Sequence, residues 1–158
     1  IDAAKLMAET LAGMPIERVF VIHGEPGWDE ATPVGPFELY DVRPGRVQRE
    51  VRDPLQLGLQ RCTPADLAGG DAAHNAVGLR AVFDGHDTGP HCDALVLNAA
   101  LALEVTGAVP DAAAGVAAAR ECVRSGGALR LLERLAAFGA ARGQGTGHRG
   151  QGTGDRGQ

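Results

Sequence analysis

A short apolar run leads directly into a loop that carries two glycines and two adjacent carboxylates. Residues 18–22, Arg-Val-Phe-Val-Ile, have almost no polar alternation, which is typical of a strand covered on both faces in a parallel sheet. Residues 2–11 before it have the apolar spacing of a helix that Gly13 ends. A helix followed by a buried strand predicts one unit of a doubly wound α/β fold. Ligands of such folds bind beyond the carboxyl ends of the strands, where residues 23–30 lie.

The loop at residues 23–30, His-Gly-Glu-Pro-Gly-Trp-Asp-Glu, is the candidate site. Gly24 and Gly27 allow a sharp turn or a close approach of the backbone to a ligand. Asp29 and Glu30 repel each other, and a site that gathers two carboxylates usually supplies a cation. Mg²⁺ suits them because it is a hard ion that binds one or two carboxylates, retains several waters and bridges to substrate phosphates. The alternative is that the pair caps the next segment and is only solvated.

The next segment predicts a β-hairpin. Pro44 and Gly45 are typical of the centre of a type II turn, which joins strand-like runs at residues 37–42 and 47–51. The polar alternation in the second run is weak, which favours a position at the edge of a sheet.

After the hairpin the chain is mostly helical. Asp71 and Ser125 are expected to cap two of the helices. Asn98 lies in a helix that is apolar nearly all round, and it needs a hydrogen-bond partner if it is buried. The helices are expected at residues 72–83, 93–105, 111–124 and 125–138.

Residues 139–158 differ from the rest in composition. They repeat Arg-Gly-Gln-Gly-Thr-Gly with a seven-residue period and contain almost no apolar side chains. Such a segment cannot bury enough apolar surface to fold. The sequence therefore predicts one folded domain at residues 1–138 and a disordered Gly/Arg-rich tail at residues 139–158.

Charge and cysteine content restrict the classes of function. The net charge is −5, and residues 1–138 carry 12 basic against 19 acidic side chains. A body this acidic argues against general nucleic-acid binding, which needs a basic surface. Three scattered cysteines without a CxxC pair are typical of reduced thiols. Because no signal-peptide pattern opens the chain and no apolar run is long enough for a bilayer, we expect a cytoplasmic protein without a membrane partner.

The ordered motifs resemble anthranilate phosphoribosyltransferase, a member of the nucleoside phosphorylase and phosphoribosyltransferase superfamily. The loop fits its HGxxGxDE signature through His23, Gly24, Gly27, Asp29 and Glu30. Further landmarks follow in the same order, at Gly69-Gly70, Asn75-Ala76, Gly85, Leu97-Asn98-Ala99-Ala100, Gly115-Val116 and Ser125-Gly126. The resemblance runs from about residue 16 to residue 138.

The resemblance implies an α/β fold in which this chain is the C-terminal part. It implies transfer of the phosphoribosyl group from phosphoribosyl pyrophosphate (PRPP) to anthranilate in tryptophan biosynthesis, with Mg²⁺ as cofactor and Asp29 and Glu30 as metal ligands. His23 and Gly24 are expected near the substrate, and no catalytic base is assigned. The family's Gly-Thr-Gly-Gly-Asp pyrophosphate loop precedes the matched segment, so the chain alone is expected to be inactive. Homodimers are expected of the full-length family.

Three alternatives stay open at this point. The first is a related enzyme such as a pyrimidine-nucleoside phosphorylase. The second is a non-catalytic relative that binds nucleic acid, which only the Gly/Arg-rich tail favours. The third is a truncated remnant without activity.

Overall fold

The computed structural model describes residues 2–145. Within them the chain forms five α-helices, three strands and two short 3-10 helices. In chain order these are α1 (Ala3–Ala12), β1 (Val19–Gly24), β2 (Phe37–Arg43), β3 (Arg46–Arg52), the 3-10 helices Pro54–Leu57 and Pro64–Leu67, α2 (Ala72–Phe83), α3 (Pro90–Val105), α4 (Ala112–Arg124) and α5 (Gly127–Gly145). The predicted α/β class, one strand and a hairpin packed with helices, is confirmed.

The three strands form one antiparallel sheet in the order β1-β2-β3. β1 pairs with β2 from Val19 opposite Val42 to Gly24 opposite Phe37. The parallel pairing expected of β1 is therefore wrong within the described residues. An unbroken apolar strand indicates that both of its faces are covered, but it carries no information on the direction of its neighbour. The outer edge of β1 has no partner strand in residues 2–145.

Alternate side chains of β1 pack into two different layers. Val19 and Val21 contact the cluster beneath α1, which includes Tyr40 of β2. Phe20 and Ile22 pack against a larger cluster between the sheet and the later helices. That cluster comprises Ala31, Phe37, Leu39, Leu59, Val96, Leu97, Ala100, Leu101, Ala112, Val116 and Ala119. Apolar packing on both faces of β1, as predicted, is thus present even though the pairing is antiparallel.

The hairpin follows the prediction closely. β2 and β3 are joined by Pro44 and Gly45, and Gly45 has a φ of 69°, as a type II turn requires at its third position. β3 lies at the edge of the sheet, as the weak alternation of residues 47–51 predicts. The Gly45 amide also donates to the Ala12 carbonyl oxygen over 2.9 Å, which ties the turn to the end of α1.

α3 and α4 pack closely because a glycine lies where they cross. A Cβ atom at Gly115 of α4 would stand 2.7 Å from the Ala100 carbonyl oxygen of α3. Any side chain there would force the two helices apart, since interiors have little spare volume. Gly115 therefore sets the position of α3, the helix behind the candidate site.

Several helix boundaries differ from the predictions. α3 begins at Pro90 rather than at residue 93 because proline suits the first helical position. Ser125 does not cap α5, since its hydroxyl donates to the Cys122 carbonyl oxygen at the end of α4. α5 continues past the predicted end at Phe138 to Gly145. The rest of the predicted disordered tail, residues 146–158, lies outside the described residues. Of the helices in residues 2–145, none combines the length and apolarity that crossing a bilayer requires.

Glu104 of α3 is bonded through its buried carboxylate to β3 and through its backbone to the residue before β1. Glu104 is only 5% exposed, and its two oxygens accept hydrogen bonds from Arg52 of β3 over 2.6 and 2.9 Å. Arg18, just before β1, donates to the Glu104 backbone carbonyl oxygen over 2.9 Å and to both Asp41 oxygens over 2.9 and 2.8 Å. The hydrogen bonds from Arg18 lower the pKa of the Asp41 carboxyl below its ordinary value, although partial burial opposes them. Both guanidinium groups also lie over the Phe20 ring.

We expect Glu104→Ala to lower the free energy of unfolding by about 3 kcal/mol, the low end for breaking a buried ion pair, because Arg52 loses its buried partner and keeps only the more exposed Glu50. Urea unfolding followed by circular dichroism measures this change. Glu121→Ala is the matched control, since Glu121 pairs with Arg124 on an exposed helix surface and such pairs contribute at most about 1 kcal/mol. Equal effects of the two substitutions would contradict a structural role for Glu104.

Candidate metal centre

The candidate loop reverses direction immediately after β1. The Gly24 amide donates to the Trp28 carbonyl oxygen over 2.9 Å, and the Trp28 amide donates back to the Gly24 carbonyl oxygen over 2.8 Å. Gly27 completes the reversal with a φ of 131°, which favours glycine strongly. These backbone bonds define the turn that carries the chain from the end of β1 to Asp29.

Gly24 makes a contact that no other residue would permit. A Cβ atom at this position would collide with the Glu30 carbonyl oxygen and stand 3.1 Å from the Trp28 Cβ atom. The backbone of Glu30 therefore lies directly against the Cα atom of Gly24. The sequence predicts a sharp turn or a close approach of the backbone to a ligand at Gly24. In the structure the close neighbour of Gly24 is instead the backbone of the acidic pair.

The segment after the acidic pair is anchored in the core. Ala31 and Thr32 are at most 1% exposed, and Pro33 is also buried. The Asn98 side-chain amide of α3 donates to the Ala31 carbonyl oxygen over 2.8 Å and to the Ala94 carbonyl oxygen of its own helix over 2.9 Å. The predicted need of Asn98 for a partner is thus met, by a residue next to the candidate site.

Asp29 and Glu30 are exposed, and their carboxylates have no hydrogen-bond or ion-pair partner within residues 2–145. By contrast, the carboxylates of Asp41 and Glu104 are paired with arginines. The acidic pair is therefore uncommitted, in the sense that its carboxylate oxygens are available to bind a cation.

The donor set suits Mg²⁺ better than a metal held by protein alone. No group of three or more His, Cys, Asp or Glu side chains in the described part of the chain is arranged to hold a metal ion. Mg²⁺ is usually held by one or two carboxylates, with water and substrate phosphate oxygens in the other positions. Two exposed and uncommitted carboxylates fit that mode of binding.

Thr32 follows the acidic pair in sequence and carries a buried polar group that the sequence did not indicate. Its Oγ1 atom is fully buried and has no hydrogen-bond partner within the described residues. Buried hydroxyls are almost always paired. This unpaired hydroxyl lies two residues after Glu30, and no periodicity or motif distinguishes it from an ordinary loop threonine.

His23 lies on the α1 side of the sheet, opposite Glu38 of β2. It lines an open depression of about 400 Å³ together with Asp2 and Glu38. The Tyr40 hydroxyl lies 3.1 Å from an oxygen of Asp2 and 3.2 Å from an oxygen of Glu38, and the hydrogen bond from Arg49 lowers the pKa of the Glu38 carboxyl. Two carboxylates beside His23 make this depression unfavourable for a phosphate group. Substrate binding by His23 and Gly24 stays a prediction.

Comparison with known proteins identifies the family of the chain. A family model described as "Glycosyl transferase family, a/b domain" matches residues 1–129. The chain belongs to this family. The predicted resemblance to anthranilate phosphoribosyltransferase is also confirmed. The anthranilate phosphoribosyltransferase of Methylobacterium nodulans is 44% identical over 138 residues, which cover 87% of this chain and 41% of that protein.

Solved structures agree with the sequence comparison. The crystal structure of anthranilate phosphoribosyltransferase from Thermus thermophilus has a TM-score of 0.72 and 38% identity, covering 84% of this chain and 38% of that one. The Saccharomyces cerevisiae enzyme in complex with PRPP and Mg has a TM-score of 0.73 and 25% identity, covering 82% of this chain and 38% of that one. The chain spans about two fifths of the length of the relatives it matches.

We expect Gly24→Ala to lower the free energy of unfolding by about 1–3 kcal/mol, because the added methyl group overlaps the Glu30 backbone. Guanidinium unfolding followed by Trp28 fluorescence measures the change. Gly78→Ala in α2 is the control: no atom lies within 4 Å of its added Cβ, and the same substitution in a helix interior stabilises by roughly 0.5–1 kcal/mol. A neutral Gly24→Ala would refute the close contact.

Proposed function

We propose that this chain supplies the metal-binding part of an enzyme that transfers the phosphoribosyl group of PRPP to anthranilate. The observation that carries the proposal is the exposed and uncommitted pair Asp29 and Glu30, held at the end of β1. Support comes from a relative of the same fold whose structure is in complex with PRPP and Mg. Metal binding, substrates and activity are proposals, since the chain spans only part of its relatives.

The reaction forms a bond between the anthranilate amine nitrogen and the anomeric carbon of the sugar. The bond from that carbon to the pyrophosphate oxygen breaks with its electron pair, and the amine then loses a proton to water. Because the amine is already a nucleophile, the main requirement is to stabilise charge on the leaving pyrophosphate. Mg²⁺, when bound, supplies positive charge to the phosphate oxygens.

Asp29 and Glu30 would hold this ion, and the protein fixes the backbone on both sides of them. Gly24 and Trp28 define the approach to the pair, and the buried residues that begin at Ala31 define its exit. We also propose that His23 and Gly24 lie near the substrate but not beside its phosphate groups, since Asp2 and Glu38 line the depression at His23. The carboxylates of the acidic pair would themselves repel an unmetallated phosphate, so we expect the ion to bind to them first, with water in its other positions, and the pyrophosphate group to bind afterwards.

The chain alone is proposed to be inactive. Its sequence contains no Gly-Thr-Gly-Gly-Asp segment, the pyrophosphate loop expected of the family. A chain that contains both that loop and the acidic pair, in the family's homodimeric form, is proposed to be the active enzyme.

The experiment follows the loss of anthranilate fluorescence with PRPP and Mg²⁺, using this chain and a longer chain that carries the upstream sequence of a relative. We expect turnover only in the longer chain. The double variant Asp29→Asn with Glu30→Gln should reduce its kcat by roughly 10²–10³-fold, as loss of a group that stabilises transition-state charge does.

The control for this experiment is Glu9→Gln with Glu17→Gln, which removes two exposed carboxylates near α1 and changes the net charge equally. The control variant should retain its kcat. If the longer chain has the same kcat with and without the Asp29→Asn and Glu30→Gln substitutions, the proposed role of the pair is contradicted.

A further inference from the structure

We propose that Asn98 is a positioning residue of the metal centre, an inference that rests on the proposed function. The two hydrogens of its side-chain amide are both used, one on the Ala31 carbonyl oxygen and one on the Ala94 carbonyl oxygen. The first bond connects α3 to the residue that follows Glu30, across 67 positions of sequence. Asn98 therefore fixes the backbone at the exit of the acidic pair.

The hydrogen bond from Asn98 to Ala31 differs in kind from the other polar contacts of the loop. Within residues 2–145, Asn98 makes the one side-chain hydrogen bond that reaches the backbone of residues 24–36. The other polar contacts of this segment are between backbone groups, such as Glu25 with Pro36 and Gly24 with Trp28. Asn98 is consequently the side chain through which α3 determines where the loop lies.

The acidic pair is held from two directions. On one side the Glu30 backbone lies against Gly24, where even a methyl group would collide. On the other side Asn98 holds Ala31, which is completely buried. The carboxylates themselves have no partners in the described residues, so the backbone is the part of the acidic pair that the protein holds in place. A metal site tolerates only about 0.5 Å of error in such geometry.

Removing the Asn98 donors should weaken metal binding without removing a ligand. Loss of a group that orients metal ligands typically lowers the metal affinity by about 10–100-fold. Asn98→Leu has a similar volume and no donor. Asn98→Ser is a milder change, because serine can still bond to the carbonyl oxygen four residues earlier in its helix but is too short to reach Ala31.

Trp28 provides a local signal, since it is the single tryptophan of the chain and precedes Asp29 directly. The experiment titrates the complete 158-residue chain with Tb³⁺, a hard, oxygen-binding ion, and excites Trp28 to sensitise its luminescence. Competition with Mg²⁺ then gives the Mg²⁺ affinity. Thermal unfolding of each variant is measured in parallel.

Asn75→Leu is the matched control. Asn75 of α2 also bonds its side-chain amide to a loop backbone. Its oxygen accepts from the Gly70 amide over 2.8 Å, and its nitrogen donates to the Gly70 carbonyl oxygen over 3.1 Å. We expect both Asn98 variants to bind Mg²⁺ with roughly tenfold lower affinity, and Asn75→Leu to bind Mg²⁺ with the affinity of the unaltered chain. If Asn98→Leu does not fold, the Asn98→Ser titration decides.

The outcomes separate this inference from the proposed function. Tb³⁺ luminescence that is absent in the unaltered chain, or unaffected by Asp29→Asn with Glu30→Gln, would overturn both. Luminescence that depends on the acidic pair, with Asn98 variants that bind Mg²⁺ like the unaltered chain, would overturn the role of Asn98 alone. An equal loss of affinity in Asn75→Leu would also overturn it, because the effect would then be one of general stability.

Discussion

The packing of β1 between two layers is the constraint on which the rest of the structure depends. Val19 and Val21 fix the strand against α1, and Phe20 and Ile22 fix it against the cluster beneath α3. A strand fixed on both faces delivers its carboxyl end to one place. The loop that follows can then present two carboxylates to solvent while its own backbone is bound to Gly24 and to α3.

The chain treats its acidic residues in two opposite ways. Glu104 is buried and neutralised by Arg52, with Arg18 nearby, because an unpaired charge in the interior would be costly. Asp29 and Glu30 remain exposed and have no cation in reach within the described residues. Repulsion between adjacent carboxylates is weak in water. A divalent cation bound between them is attracted to both and offsets that repulsion. The first arrangement holds the sheet to α3, and the second leaves a site open.

Local signals were sufficient for part of this structure. Pro44 and Gly45 specify the hairpin, and Asp71 specifies the start of α2, because turn and cap chemistry depends only on neighbouring residues. The acidic pair and its glycines could also be predicted from the loop alone. The antiparallel pairing of β1 could not, because an apolar run carries no information on the direction of its neighbour. The partner of Asn98 could not either, because Ala31 lies 67 positions away. The end of α5 was missed because helix propagation past Phe138 follows the preceding turns rather than the local glycine content.

The most direct test of the account is a crystal structure of this chain with Mn²⁺, recorded at a wavelength where manganese scatters anomalously. We expect an anomalous peak at about 2.1 Å from carboxylate oxygens of Asp29 and Glu30, with water in the remaining positions, as for a hard divalent ion. A peak at another cluster, such as Asp2 and Glu38 beside His23, with none at the acidic pair, would contradict it.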